Sequence, residues 1–368
     1  MNLLCDRQTL VEAVANVSRA VSTKSTLAAL EGVLMKAENG CLSLTGYDLE
    51  LAISTTIEAR VLEPGTIVLP AKIFFDMVRR MPSDQVSIQS DDKLLTLVKG
   101  GMTQYTILGI PALEYPELPT VAQTYRFQLP QAVLKEMISQ TQFAIATNDT
   151  KPVHMGSMFD LDNGTLNLVS VDGYRLALRR EQVDCDKEEG FVVPGKSLAE
   201  VAKLLKDSDE PATLAVARRH VIFEVEGYTV ISRLLEGEFL DWRSAIPQGA
   251  QTTLRVSVRG LVNAIERASL LISDSVKSPL RMKLEGGLMQ ITCSSPLGRA
   301  YDELTCQQQG EGLEIGFNSR YMLDALKASG CDELQLLFNG PLSPIKLLPL
   351  EGEAFTCLVL PVRLKSGD

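Results

Sequence analysis

Apolar and polar positions alternate in three stretches that lie at a nearly fixed interval along the chain. Residues 32–48 read GVLMKAENGCLSLTGYD, residues 156–172 read GSMFDLDNGTLNLVSVD, and residues 279–295 read PLRMKLEGGLMQITCSS. A period of two marks a strand with one buried face. Each stretch therefore predicts two strands joined by a two-residue turn. The turns are Asn39-Gly40, Asn163-Gly164 and Gly286-Gly287, pairs that supply the positive φ angles a tight hairpin demands. Asn39 and Asn163 are 124 residues apart, and Gly286 lies 123 further on.

Helical signals repeat in the same register. TIVLPAKIFFDMVRRMP, GFVVPGKSLAEVAKLLKD and LEIGFNSRYMLDALKASG each read as a short buried strand, a break and an amphipathic helix. The breaks at Pro70, Pro194 and Asn318 are each 124 residues apart. Proline suits the first turn of a helix and asparagine its N-cap. In the middle copy Leu198, Val201, Ala202 and Leu205 make one apolar stripe. A further helix opens each copy, starting at Asp6, Leu129 and Ser257 after a short alternating strand. The predicted class is α+β, with repeats at 1–124, 125–250 and 251–368. Proline-rich and polar segments, PALEYPELPTVAQ and AIPQGAQTT, separate them. Each repeat runs strand, helix, hairpin twice over, so the chain holds six copies of a small motif.

Composition narrows the function classes. No run approaches the roughly 18 apolar residues of a membrane-spanning helix, and the start MNLLCDRQTL does not read as a secretory signal. Seven cysteines with no C-x-x-C spacing predict free thiols in a reducing cytoplasm. The two histidines, His154 and His220, sit in no Cys/His cluster, which argues against structural zinc. The net charge of −10, taken alone, disfavours a nucleic-acid partner. Its distribution changes that picture. Counted after the leading Asp6, the six helical segments hold thirteen Lys and Arg against seven Asp and Glu, a net +6. Helices on one face of an arc of sheets would gather that charge into a positive concave lining. Basic residues on solvated helix faces account for the same count.

The segments LSLTGYDLE, LPAKIFFDMVRRMP, SVDGYRLAL, VVPGKSLAEV, LLEGEFLDWRSAIP, IGFNSRYMLDAL and LVLPVRL together resemble the bacterial DNA polymerase III β-subunit, or sliding-clamp, family. The resemblance covers nearly the whole chain. It implies three DNA-clamp domains, each with antiparallel sheets outside and two helices lining a central channel, in a ring-shaped head-to-tail homodimer. It implies a processivity factor and not an enzyme, with no cofactor and no metal. Such a ring encircles duplex DNA, slides without sequence specificity, and tethers the replicative polymerase, the clamp loader and repair proteins through short linear peptides. Unpaired sheet edges at the two ends of an open chain are aggregation hazards. Pairing the first repeat of one copy with the third of another would remove them. By the resemblance, Tyr105 and Leu108 would meet Leu270 and Leu271 at that junction; plain core is the other reading of the two leucines. On the DNA side it points to Lys24 in the loop STKSTL, then to Arg79, Arg80, Lys196, Lys203 and Lys277. Each of these taken singly also fits a solvated surface charge.

The stretch from Val171 to Leu176 holds an Asp172/Arg175 pair. A catalytic reading lacks an accompanying nucleophile or metal cluster, whereas a turn-compatible Asp-Gly within a hairpin accounts for the pair. The resemblance implies a third role, as part of an apolar groove for a partner's peptide. The matching positions are Lys151, His154, Gly173, Tyr174, Arg175, Leu176, Leu240, Ala245, Asn318, Tyr321, Leu342, Pro344, Leu358, Val359, Leu360, Pro361, Val362 and Arg363. His154, Leu240 and Ser244 stand where the family commonly has an aliphatic residue, a proline and a basic residue. His154 reads as a groove or surface residue and not a ligand. Lys365 to Asp368 continue past the family's common end. Two other classes compete. A triplicated α/β enzyme would be expected to show a GxGxxG, a P-loop or an activated nucleophile, and none is present. A structural or scaffold ring without a nucleic-acid role would differ from a clamp in lacking salt-dependent association with DNA.

Overall fold

The computed structural model describes residues 1–122, 124–148, 151–272 and 278–364. The three expected hairpins form as antiparallel pairs. Asn39 and Gly40 have φ of 50° and 76°, Asn163 and Gly164 of 47° and 81°, and Gly286 and Gly287 of 63° and 82°. Two successive left-handed residues match the twist of the strands they join. A fourth turn of this kind, Glu226-Gly227, carries a glutamate at φ 52°. Its first residue gave no turn signal in the sequence.

Seven α-helices are described: α1 Arg7–Val17, α2 Ala71–Arg79, α3 Gln131–Thr141, α4 Gly195–Leu204, α5 Trp242–Ala245, α6 Val258–Ala268 and α7 Ser319–Ala328. Side chains cap three of the long ones. Asp6 accepts the Thr9 N–H at 2.8 Å, Ser257 the Gly260 N–H at 3.3 Å, and Asn318 those of Arg320 and Tyr321 at 2.9 and 3.2 Å. The expected start of α3 at Leu129 is corrected to Gln131. Leu129 and Pro130 instead pair with Ala212 and Pro211 in a strand, and a residue before proline is biased away from helical angles. Pro70 and Pro194 are likewise not inside a first helical turn. They end the strands Gly65–Pro70 and Glu189–Pro194, and the helices begin one residue later.

The described residues form two compact units. The first comprises residues 1–134 and 199–234. It holds a five-stranded sheet, ordered Arg60–Glu63, Asn2–Asp6, Gln85–Ser90, Leu95–Gly100, Thr103–Leu108. It also holds an eight-stranded sheet in which Tyr228–Arg233 pairs with Leu51–Glu58. Helices α1 and α2 pack together. Leu10, Ala13, Val14 and Val17 of α1 and Phe74 and Val78 of α2 are almost completely buried. Gly46 permits the close approach of α1 to the sheet, because a Cβ there would lie 2.0 Å from the Val17 carbonyl oxygen.

The second unit comprises residues 135–198 and 235–368. In its nine-stranded sheet Arg175–Gln182 pairs with Phe355–Val359. Its five-stranded sheet runs Gly298–Thr305, Leu288–Ser295, Leu280–Glu285, Leu313–Phe317, Pro361–Val362. Helices α6 and α7 bury Leu261, Ala264, Ile265, Met322, Ala325 and Leu326 in a core shared with both sheets. Every described strand pairing in the chain is antiparallel. The middle repeat is shared out by these ladders. Its strands at 125–130 and 211–233 join the first unit and those at 156–194 join the second.

Candidate functional site

Asp172 and Gly173 make a turn that aims two neighbours. Gly173 has φ 84°, a conformation costly for any residue with a Cβ. That bend lets Asp172 Oδ1 accept the N–H groups of Tyr174 and Arg175, both at 3.0 Å. The Arg175 guanidinium then pairs with Asp172 at 2.9 Å and with Asp324 of α7 at 2.5 Å. It lies 4.6 Å from the Tyr321 ring centre and 5.3 Å from that of Phe143. Tyr174 stacks on Tyr321 with centroids 5.9 Å apart and remains 61% exposed. The Asp172/Arg175 pair is thus a structural clasp that presents two tyrosines at a surface.

Beside the clasp, Leu176 and Leu358 are buried with Val169, Val171, Leu178, Trp242 and Ile246, and Ala245 packs against them. Leu358 sits opposite Leu176 in the ladder and Val359 opposite Arg175. The Leu360 N–H donates to the Tyr174 carbonyl at 2.9 Å, leaving the Leu360 side chain part-exposed. Pro361 and Val362 pair with Phe317 and Gly316, directly before the cap residue Asn318. Arg363 is exposed. All these residues belong to the second compact unit. Leu240 and Leu342 are exposed, and Pro344 is half-buried in the loop before the strand Ile345–Pro349. Lys151 is exposed at the start of a short 3-10 turn. His154, in that turn, is buried at 8% exposure and stands edge-on to Phe239 at 5.5 Å. It is therefore an interior and not a surface histidine.

Sequence reasoning missed the residues that hold the floor of this cluster. Trp242, the chain's single tryptophan, donates its indole N–H to Asp160 at 3.0 Å. Arg243 covers the same ring at 4.3 Å and pairs with Asp160 and Asp162 at 2.7 and 2.8 Å. Ser244, which stands where the family commonly has a basic residue, donates its hydroxyl to the Asp241 carbonyl at 2.9 Å. The uniqueness of Trp242 was the one available signal. Its partners lie some 80 positions away in sequence, which a local pattern does not reveal.

The other candidates are distributed over the surface. Lys24, Arg79, Arg80, Lys196 and Lys203 are all exposed. Arg79 pairs with Asp76 at 3.1 Å and Lys203 with Glu200 at 2.8 Å, whereas Lys24 and Arg80 make no ion pair among the described residues. Lys277 lies outside the described residues. Tyr105 and the 62% exposed Leu108 are on Thr103–Leu108, an edge strand of the first unit. Leu270 is 81% exposed after α6, while Leu271 packs against the core of the second unit. Burial pushes the Cys5 thiol up to about 12 and also raises Cys293, Cys306, Cys331 and Cys357. None of these five is an activated nucleophile at neutral pH.

Family models for the N-terminal, central and C-terminal domains of the DNA polymerase III beta subunit match residues 1–119, 128–241 and 243–363. The chain belongs to the DNA polymerase III beta subunit family. The three family domains follow one another in that order along the chain. The beta sliding clamp of Halalkalibacterium halodurans is 32% identical over 378 residues, covering 99% of this chain and 100% of that protein. That of Bacillus subtilis is 32% identical with the same coverage, and its crystal structure matches with a TM-score of 0.96. A Pseudomonas aeruginosa sliding clamp bound to griselimycin matches with a TM-score of 0.95 at 28% identity, over 99% of this chain and all of that one. Among the described residues no helix is long and apolar enough to cross a membrane.

Proposed function

We propose that this beta-subunit family member is a DNA polymerase processivity factor. Two copies close head to tail into a ring around duplex DNA, slide without reading sequence, and hold polymerase and other partners through a peptide groove. The observation that carries this reading is the match to a solved sliding clamp over 99% of the chain at a TM-score of 0.96. Three clamp domains at 1–124, 125–250 and 251–368 fit the repeat. Exposed Lys24, Arg79, Arg80, Lys196 and Lys203, with Lys277, are the proposed duplex contacts. Phosphate contacts of this kind give affinity without sequence information. The cluster around Tyr174, Leu176, Tyr321 and Leu358 to Arg363 is the proposed groove, since apolar pockets with a few polar rim groups suit peptide docking. The protein performs no chemical step in this role.

Loading onto DNA tests the proposal. With a clamp loader and ATP, the protein is expected to stay on nicked circular DNA through gel filtration and to be lost once the circle is linearised. Equal retention on circular and linear DNA would rule out topological encirclement.

A further inference from the structure

A cavity of about 830 Å³ opens on the five-stranded sheet of the second compact unit. Its lining includes Arg281, Arg299 and Arg363 with the hydroxyl-bearing Thr292, Ser294 and Tyr301, the last already donating its hydroxyl to the Glu303 carboxylate. Strand alternation puts them there. Met282, Ile291 and Cys293 point into the core, so their neighbours in sequence take the opposite face. The ladder then aligns them. Arg281 is opposite Thr292, Thr292 opposite Tyr301, and Ser294 opposite Arg299. Arg281 is partly neutralised by Glu314 at 2.7 Å. Arg299 and Arg363 form no ion pair among the described residues. Set against Glu314 and Glu303, the three arginines leave a small positive excess on a chain of net charge −10.

The cavity shares two residues with the proposed groove. Val362 and Arg363 line the cavity and also belong to the groove set. Val362 is held beside Gly316, two residues before the cap residue Asn318. A peptide seated over Tyr174 and Leu358 that runs on past Arg363 would meet the arginine-lined cavity next.

We propose that this cavity receives a carboxylate-rich stretch flanking the groove-bound motif of a partner's peptide, so that acidic flanks select among partners. The inference rests on the groove reading above. The guanidiniums of Arg299 and Arg363 with the adjoining hydroxyls of Thr292 and Ser294 suit carboxylates, which accept from both. The groups are solvent-accessible in the single chain, and Arg299 stands on the edge strand Gly298–Thr305 that the proposed dimer would pair, so the gain in affinity is modest and screened by salt.

The test titrates the full chain with tryptophan-free peptides, read by calorimetry and by Trp242 fluorescence. The peptides carry a clamp-binding core motif alone, or the motif with a short glutamate run or a matched glutamine run on either side. One acidic flank is expected to tighten binding by about three- to tenfold at low salt. The double variant Arg281→Gln/Arg299→Gln should lose that gain while binding the core peptide as before. Equal affinities for glutamate and glutamine flanks on both sides overturn the inference, as does a gain that survives in the double variant. A double variant that instead loses self-association in sedimentation assigns the cavity to a second copy and also overturns it. Failure of the core peptide to bind the unaltered protein is a distinct result, which sinks the groove reading itself.

Discussion

Arg175 illustrates how one side chain sets local geometry. Two carboxylates and two aromatic rings converge on a guanidinium whose side chain is only 9% exposed. Removing it would leave Asp172 and Asp324 close together without compensation. Arg175→Ala is expected to cost about 2–3 kcal/mol, below the range for a fully buried pair because Asp324 is one-third exposed. Arg175→Lys should recover part of that, since a lysine supplies charge but neither the planar fork nor the stacking surface. Urea unfolding of the two variants checks both. A loss below about 0.5 kcal/mol for Arg175→Ala would show that the clasp contributes little.

At the level of elements, the repeat exposes a strained position. In the middle repeat Asp172 and Gly173 make the turn that aims Tyr174. The equivalent turn 124 residues earlier uses Asp48, whose Oδ1 accepts the N–H groups of Glu50 and Leu51 at 3.0 and 2.7 Å. Leu49 there occupies the glycine's place at φ 77°, with its side chain half-exposed. A leucine in that region costs roughly 1–2 kcal/mol, of which glycine's greater freedom in the unfolded chain returns a part. Leu49→Gly is therefore expected to stabilise the protein by about 1 kcal/mol, visible as a rise in the denaturation midpoint at unchanged slope. A lower midpoint would mean that the Leu49 side chain makes a contribution larger than its backbone strain.

At the scale of the whole molecule, the proposed dimer depends on edges that each compact unit leaves open. Thr103–Leu108 and Gly298–Thr305 are both terminal strands of their sheets, and unpaired edges invite partners. Leu270 offers a cleaner probe than Leu271. The former is 81% exposed, whereas the latter packs against its own core, so that charging it would also damage the fold. Leu270→Asp is expected to shift sedimentation from dimer to monomer while leaving the thermal unfolding signal of the secondary structure in place. A dimer that persists in Leu270→Asp at micromolar concentration would remove this leucine from the interface.

Much of the fold was legible because its determinants are local. The Asn39-Gly40, Asn163-Gly164 and Gly286-Gly287 turns, the period-two strands around them and the N-caps Asp6, Ser257 and Asn318 each act over a few residues. They therefore left a pattern in the chain itself, and the threefold repetition made the pattern unmistakable. The start of α3 was misplaced because strand pairing of Leu129 and Pro130 with residues some 80 positions away outweighed the helical reading. For the candidate site, the segments around Tyr174 and Leu358 and the individual basic residues were visible through family resemblance, and charge counting marked only the helices as basic. Tertiary structure alone decided that Asp160 and Arg243 hold Trp242, that Arg175 reaches Asp324, and that His154 is interior. It also decided how the middle repeat is divided, since hydrogen-bond ladders between distant strands carry no signature in the sequence of either strand. The repeat was written in the order of residues; the clasp, the floor and the arginine-lined cavity came from contacts that only folding creates.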